Sequence, residues 1–336
     1  MRTNPYKRII TVNIFLIISL LVYSKSLENS LNQVIDKYAS QSLLNGSILI
    51  AKGDSILVKG SFGTKNLENK TNNSDSTLYS IASLTKQFTS TAILLLVEDN
   101  KLSLTDKIGN YLEVPASMKD VQIKNLLNHT SGIPDFWDYN ISTDSIYEFL
   151  FEHNDLEFAP GTEFRYCNSG YYLLGEIIEK VSGETYNSYL KKNIFDPLRM
   201  KNTFLYQGEE LDRAIAYDPE WNVNDFLIKT ANGGILSTIE DMYKWDKALL
   251  EEKLLSKESK AIMFEPTILN TGNVINYGFG WEISDDNKNI VSHTGWLASF
   301  GAYNQVDLEE GYFVILLSNQ IRPELMNLIT EINSLQ

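Results

Sequence analysis

Apolar positions at Leu27, Leu31, Val34, Ile35 and Tyr38 follow a helical repeat, and the polar residues between them predict an amphipathic helix. Two short apolar runs follow, Gly46–Lys52 and Ser55–Gly60, separated by Gly53-Asp54, and this pattern predicts a β-hairpin. Residues 63–77, rich in Asn, Lys, Thr and Ser, read as a surface loop. Leu84, Phe88, Ala92 and Leu95 then recur at spacings of four, four and three, the period of a helix with one buried face. Polar residues before this stretch place its start at about Ala82 to Ser83, and Asn100 and Lys101 close it.

Between residues 102 and 165 the pattern breaks into short helices with turn residues between them, as in Thr130-Ser-Gly-Ile-Pro134. Pro160-Gly161 sets a turn, and Asn168–Val181 predicts a helix ending at Gly183. Another helix, from Thr185 to about Asn193, is expected to stop before Pro197. Asn232-Gly-Gly234 is a tight connection, and Ser237 with Glu240 forms a capping box for a helix over Ile239–Leu250. From about residue 275 the chain turns β-branched and aromatic, predicting strands at Tyr277–Ile283, Asn289–His293, Phe300–Asp307 and Tyr312–Ser318. Pro323 opens a last helix through Ile332, with Leu325, Leu328 and Ile332 on one face.

That order predicts an α/β protein of the α+β kind. Its antiparallel sheet, of about five or more strands, is assembled from both ends of the chain and flanked by the N- and C-terminal helices. A mostly helical lobe is inserted between. A single domain over residues 25–336 is expected, with a sheet lobe at about 27–80 and 275–336 and a helical lobe at about 81–274.

Residues 1–24 stand apart. Arg2, Lys7 and Arg8 precede an apolar run, Ile9 to Val22, broken only by Thr11, Asn13 and Ser19. This is the form of a secretory signal, with Ser24 and Ser26 as small residues for cleavage, and it predicts a secreted or periplasmic protein. An uncleaved anchor is the alternative, and it would be the protein's only link to a membrane. The 336 residues carry a formal charge of −14, and losing residues 1–24 removes three cations and no acid. Such a surface repels nucleic acid and anionic lipid, so neither is expected as a partner. Cys167 is the only cysteine, which excludes an internal disulfide, and His129, His153 and His293 stand in no zinc-binding pattern. Neither a metal nor a cofactor is expected.

Candidate chemistry begins at Ser83 and Lys86, three residues apart at a helix start, where the two side chains can touch. A helix N-terminus stabilises an alkoxide and a tetrahedral oxyanion through its dipole and free N–H groups. Further on, Tyr166-Cys167-Asn168 lies just before a helix and His293-Thr294-Gly295 ends a strand. In this order the three segments resemble the active site of the serine β-lactamase and penicillin-binding-protein superfamily: Ser-x-x-Lys, Tyr-x-Asn and Lys/His-Thr-Gly. The resemblance extends over roughly residues 30 to 320. It takes in Leu126-Leu-Asn-His-Thr-Ser-Gly-Ile133, Pro160 to Gly175, Phe195-Asp-Pro-Leu-Arg-Met200 and Gly233-Gly-Ile-Leu-Ser-Thr238. Within the superfamily the chain is most similar to the class C-like group of D-alanyl-D-alanine carboxypeptidases, D-amino-acid peptidases and esterases.

The resemblance implies a serine hydrolase working through an acyl-serine on a small-molecule or peptide substrate. Ser83 is the nucleophile, and Lys86 and Tyr166 jointly move the proton, the phenol's acidity raised by nearby cations. Which of the two is the formal base stays open. Asn168 fixes Lys86 and a substrate amide, while His293, Thr294 and Gly295 form the substrate-facing edge. The implied oxyanion hole is the backbone N–H of Ser83 and of Trp296. His at 293, where many members carry Lys, is mostly neutral at pH 7 and weakens capture of a carboxylate. D-amino-acid peptides or esters are therefore the expected substrates, with β-lactamase action and a non-turnover penicillin-binding sensor as alternatives. Cys167 is expected to pack inward, His129 to hold a loop, and His153 to be solvated. Phe136-Trp-Asp-Tyr139 lines the cleft or packs the lobe.

Overall fold

Strands from both ends of the chain meet in one six-stranded sheet. The computed structural model describes residues 25–251 and 253–335, so the expected signal segment at 1–24 lies outside the described residues. The strands are β1 (Gly46–Lys52), β2 (Ser55–Phe62), β3 (Glu282–Ile283), β4 (Ile290–Leu297), β5 (Phe300–Asp307) and β6 (Tyr312–Ser318). They lie in the order β3-β4-β5-β6-β1-β2, every neighbour antiparallel. Gly53 makes the β1–β2 turn at φ +56°, a left-handed conformation that a side chain disfavours. β1 pairs with β6 from Gly46 opposite Ser318 to Lys52 opposite Tyr312. Both strands are buried almost throughout, as their near-continuous apolar sequences require.

Two strand expectations change. Only Glu282–Ile283 of the predicted Tyr277–Ile283 strand is extended, because Gly280 at φ +78° interrupts it. The strand expected at Asn289–His293 instead runs on to Leu297 as β4. The loop expected at 63–77 contains a small two-stranded ladder, Thr64–Asn66 with Thr71–Asn72. Nor is the middle of the chain purely helical. Tyr79–Ser80, Ile235–Ser237 and Phe204–Leu205 form a separate three-stranded sheet.

The principal helices are α1 (25–40), α2 (Thr85–Glu98), α3 (Asn168–Ser182), α4 (Ile239–Leu250) and α5 (Glu324–Asn333). The described terminal stretches, 25–45 and 322–335, form one compact unit, and residues 46–321 form the other. Within the terminal unit Lys37 pairs with Glu331 at 2.9 Å and the Tyr38 hydroxyl donates to the same carboxylate at 2.8 Å. Leu31, Ile35 and Tyr38 of α1 are buried, as are Leu325, Leu328 and Ile332 of α5.

Two helix boundaries also differ. The helix expected to stop before Pro197 continues through a wide π turn, Lys191–Phe195, into Asp196–Leu198. Pro197 falls at the start of that last segment, where its missing N–H is not needed. The cap of α4 is Thr238, accepting from the Asp241 amide, and not Ser237, which belongs to a strand.

α2 is the axis of the larger unit. One buried face was expected, but every residue from Thr85 to Leu94 is buried. Its polar side chains survive burial because each finds a partner. Thr89 donates to the Ala231 carbonyl at 2.7 Å, Thr85 accepts from the Ile235 amide at 3.1 Å, and Gln87 accepts from the Trp245 indole at 3.0 Å. Phe88 packs against Trp245 and Phe195, with ring centroids 4.3 and 5.5 Å away. Phe88→Ala should destabilise the fold by roughly 3–5 kcal/mol, the cost of an emptied aromatic site. Urea titration followed by tryptophan fluorescence would measure it.

Candidate active site

The start of α2 is tight. A single 3₁₀ turn, Ala82–Leu84, leads into the helix, and Ala82 is held at φ +47°. A left-handed alanine costs about 1–2 kcal/mol, a strain that marks sites where the chain is over-determined. Ser83 follows it. One helical turn on, the Lys86 ammonium is within 3.2 Å of the Ser83 hydroxyl, as the spacing predicts.

Lys86 is fully buried and has two further partners: Asn168 Oδ1 at 2.9 Å and the Asn232 carbonyl at 2.8 Å. Burial lowers its pKa to about 7, with the Asp135 carboxylate opposing. Neutral lysine has two N–H bonds and one lone pair. Both flanking partners are carbonyl oxygens, which only accept, so they take the two hydrogens and leave the lone pair to Ser83.

Asn168 is the first residue of α3, and Cys167 is its cap. Its amide is oriented from both ends, since Nδ2 donates to Asp135 Oδ2 at 3.0 Å. Asn232 sits in a turn closed by Gly233 and Gly234, whose amides donate to the Thr230 carbonyl at 3.2 and 2.9 Å. Asp135 and Asn232 were missed in the sequence, because neither belongs to a motif and Asn232 acts through its main chain.

Tyr166 lies beside the pair, its ring centroid 4.8 Å from the Lys86 nitrogen. Its hydroxyl is buried with no standard hydrogen-bond partner, although the Ser83 hydroxyl is near enough to favour its anion. The expected acidification does not occur. Burial pushes the phenol well above its ordinary pKa and outweighs the Ser83 contribution, so Tyr166 is a neutral hydroxyl at pH 7.

The third segment arrives on β4. A β-carbon on Gly295 would stand 2.4 Å from the Ile81 carbonyl and 3.2 Å from the Ser83 amide nitrogen, so only glycine lets the strand pass there. Thr294 and Trp296, on either side, line the same cavity as Ser83. His293 also lines that cavity, with both ring nitrogens already engaged. Nδ1 is 2.6 Å from the Thr294 carbonyl, which can only accept, and Nε2 is 3.0 Å from the Tyr277 hydroxyl.

Those contacts extend into a directed chain. The Cys167 amide donates to His129 Nδ1 at 3.0 Å, so the other His129 nitrogen carries the proton and donates to Tyr277 at 3.2 Å. Tyr277 is then free to donate to His293 Nε2. Burial and the nearby Lys86 keep both imidazoles neutral, lowering His293 to about 3 and His129 well below its usual value. His129 therefore holds a loop through hydrogen bonds, as expected. Cys167 is buried, its thiol pushed up by burial and donating to the Ile133 carbonyl at 3.3 Å. His153 is less solvated than expected, stacking on Phe149 with centroids 4.5 Å apart.

A cavity of about 500 Å³ opens over this arrangement, lined among others by Ser83, Asp135, Tyr166, Asn168, Glu282, His293 and Thr294. Trp137 and Asp138 also line it, while Phe136 is buried in the core, so that segment divides between both expected roles.

The chain was compared with known proteins. The Beta-lactamase family model matches residues 31–330. Penicillin-binding protein 4* of Bacillus subtilis is 32% identical over 323 residues, covering 86% of this chain and 71% of that one. A penicillin-binding protein from Bacillus halodurans superposes with a TM-score of 0.80 at 28% identity, over 91% of this chain and 99% of that one. A D-amino acid amidase from Ochrobactrum anthropi shares the fold, with a TM-score of 0.79 at 23% identity over 92% and 98% of the two chains.

One titration checks the electrostatics. In protein carrying ¹³C-labelled lysine, a single side chain should titrate near pH 7, and that signal should vanish in Lys86→Gln. If every lysine titrates near its usual value, the buried amine is not neutral.

Proposed function

The chain belongs to the beta-lactamase family of serine acyl-transferases and hydrolases, and on that premise we propose that it is an exported hydrolase of D-amino-acid peptides, amides or esters. The observation that carries this reading is the Lys86 amine, lowered to about pH 7 and presenting its lone pair to a serine hydroxyl 3.2 Å away.

In this mechanism the Ser83 proton passes to neutral Lys86 as Oγ bonds to the substrate carbonyl carbon. The oxyanion that forms is met by the backbone N–H groups of Ser83 and Trp296, worth ~10²–10³-fold in rate per donor. The neutral Tyr166 hydroxyl hands a proton to the leaving group and takes one from Lys86, so the bond from the carbonyl carbon to the leaving group breaks without an anion departing. Water then repeats the sequence on the acyl-serine and releases the acid. Lys86, not Tyr166, is the formal base in this reading. Asn168 keeps the amine in place, and Thr294 offers its hydroxyl to the substrate.

The relatives named for penicillin binding and the D-amino acid amidase support acyl transfer on such substrates. β-Lactamase action is the weaker alternative. His293 has no free ring nitrogen and no charge with which to hold a carboxylate. Export rests on the form of residues 1–24.

A fluorophosphonate probe should label the wild-type protein and not Ser83→Ala, and equal labelling would refute the reading. Hydrolysis of p-nitrophenyl esters should rise with pH through an inflection near 7, where Lys86 loses its proton, and then level off. Tyr166→Phe should lower the rate by roughly 10²–10⁴-fold, the usual worth of a positioned proton donor.

A further inference from the structure

The charged side chains that line the cavity are acidic, and the Lys86 amine lies buried beneath Ser83. Asp135, Asp138 and Glu282 line the cavity, and no lysine or arginine side chain does. Two of these carboxylates are already engaged. Asp138 pairs with Arg165 at 2.7 Å, and Asp135 accepts from the Asn168 amide at 3.0 Å and from the Trp137 and Ser169 amides at 3.3 Å. Glu282 has neither an ion pair nor a side-chain hydrogen bond among the described residues. Its side chain is exposed to solvent at the cavity mouth, yet the protein around it raises its pKa, the direction that a cationic partner would reverse.

Its position is fixed by the sheet. Glu282 of β3 stands opposite Ser292 of β4, and residues directly opposite share a face. Alternation along β4 puts Ser292, Thr294 and Trp296 on that face, and the latter two border the cavity. The main chain of Glu282 thus stands about 7 Å along the sheet from Thr294, two residues on from its partner Ser292. Glu282 lines the cavity together with Tyr166, whose phenol it helps to keep neutral. Two exposed indoles, Trp137 and Trp296, also line the cavity and offer faces that attract cations.

We propose that Glu282 receives a cationic amine of the substrate, so that the site selects acyl compounds with a free ammonium group, such as unblocked amino-acid amides and esters. This deepens the hydrolase reading and rests on it. The amine sits over Glu282 with the reacting carbonyl at Ser83. A substrate carboxylate in that place meets the like charge of Glu282, and the lining offers it no lysine or arginine.

The test measures binding, not turnover. In the Ser83→Ala protein, D-phenylalanine amide and its N-acetyl derivative are titrated calorimetrically, with N-acetyl-D-phenylalanine as the anionic probe. The free amine should bind ~10-fold or more tightly than the acetylated amide, the worth of a charged hydrogen bond, and the anion least. Adding Glu282→Gln should erase the amine's advantage and leave the acetylated amide's affinity unchanged, which also shows that the site is still folded. The proposal is overturned if the free amine binds no better than the blocked one, or not at all. An advantage that survives Glu282→Gln also overturns it. Failure of the hydrolase reading itself would appear separately, as absence of fluorophosphonate labelling at Ser83.

Discussion

One desolvated amine governs this molecule. A lysine in water holds its proton at pH 7, and nothing in its side chain would make it a base. Enclosing Lys86 in α2, a helix surrounded by protein, removes the solvation that sustains the charge. The same enclosure supplies two carbonyl acceptors from distant parts of the chain, the Asn168 side chain and the Asn232 backbone. Helix burial, the α3 start and the glycine turn after Asn232 therefore converge on one nitrogen. Each element is unremarkable alone, and the directionality of the lone pair comes from their conjunction.

The wall beyond Ser83 is built by a different economy. Three rings, His129, Tyr277 and His293, exhaust one another's hydrogen-bonding capacity and leave no charge behind. With that wall neutral and the surrounding side chains acidic, the polarity of the cavity is decided by carboxylates. Electrostatic selection of ligands then follows from which of those carboxylates still lacks a partner, and Glu282 is the one left open. Catalytic geometry and ligand polarity are thus set by separate groups in one cavity.

Much of this was legible in the sequence wherever a local rule is strong. β5 and β6 begin and end where β-branched and aromatic content placed them, and α3 runs on to the glycine expected to stop it. The motif spacings brought Ser83, Lys86, Tyr166, Asn168 and Thr294 to one cavity, because motif residues are fixed by the chemistry they share. Other features had no local signal. The Asn232 carbonyl is main chain and carries no side-chain identity. Asp135 and Tyr277 act through neighbours far off in sequence. The acidity of Tyr166 was misjudged because proximity to a cation is readable from a motif, whereas the depth of burial that overrides it is a property of the whole fold.

The register between β1 and β6 has a consequence for how the polypeptide is made. The first hairpin emerges from the ribosome early, yet one of its two long edges finds its mate only when residues 312–318 have been synthesised. Until then that edge carries a row of unpaired main-chain groups, the surface most prone to pairing with another molecule. Cooperative collapse must await nearly the entire translation product, and such high contact order slows folding intrinsically. Nascent copies of this protein are thus most vulnerable to aggregation late in elongation, when a chaperone covering β1 would have its greatest effect.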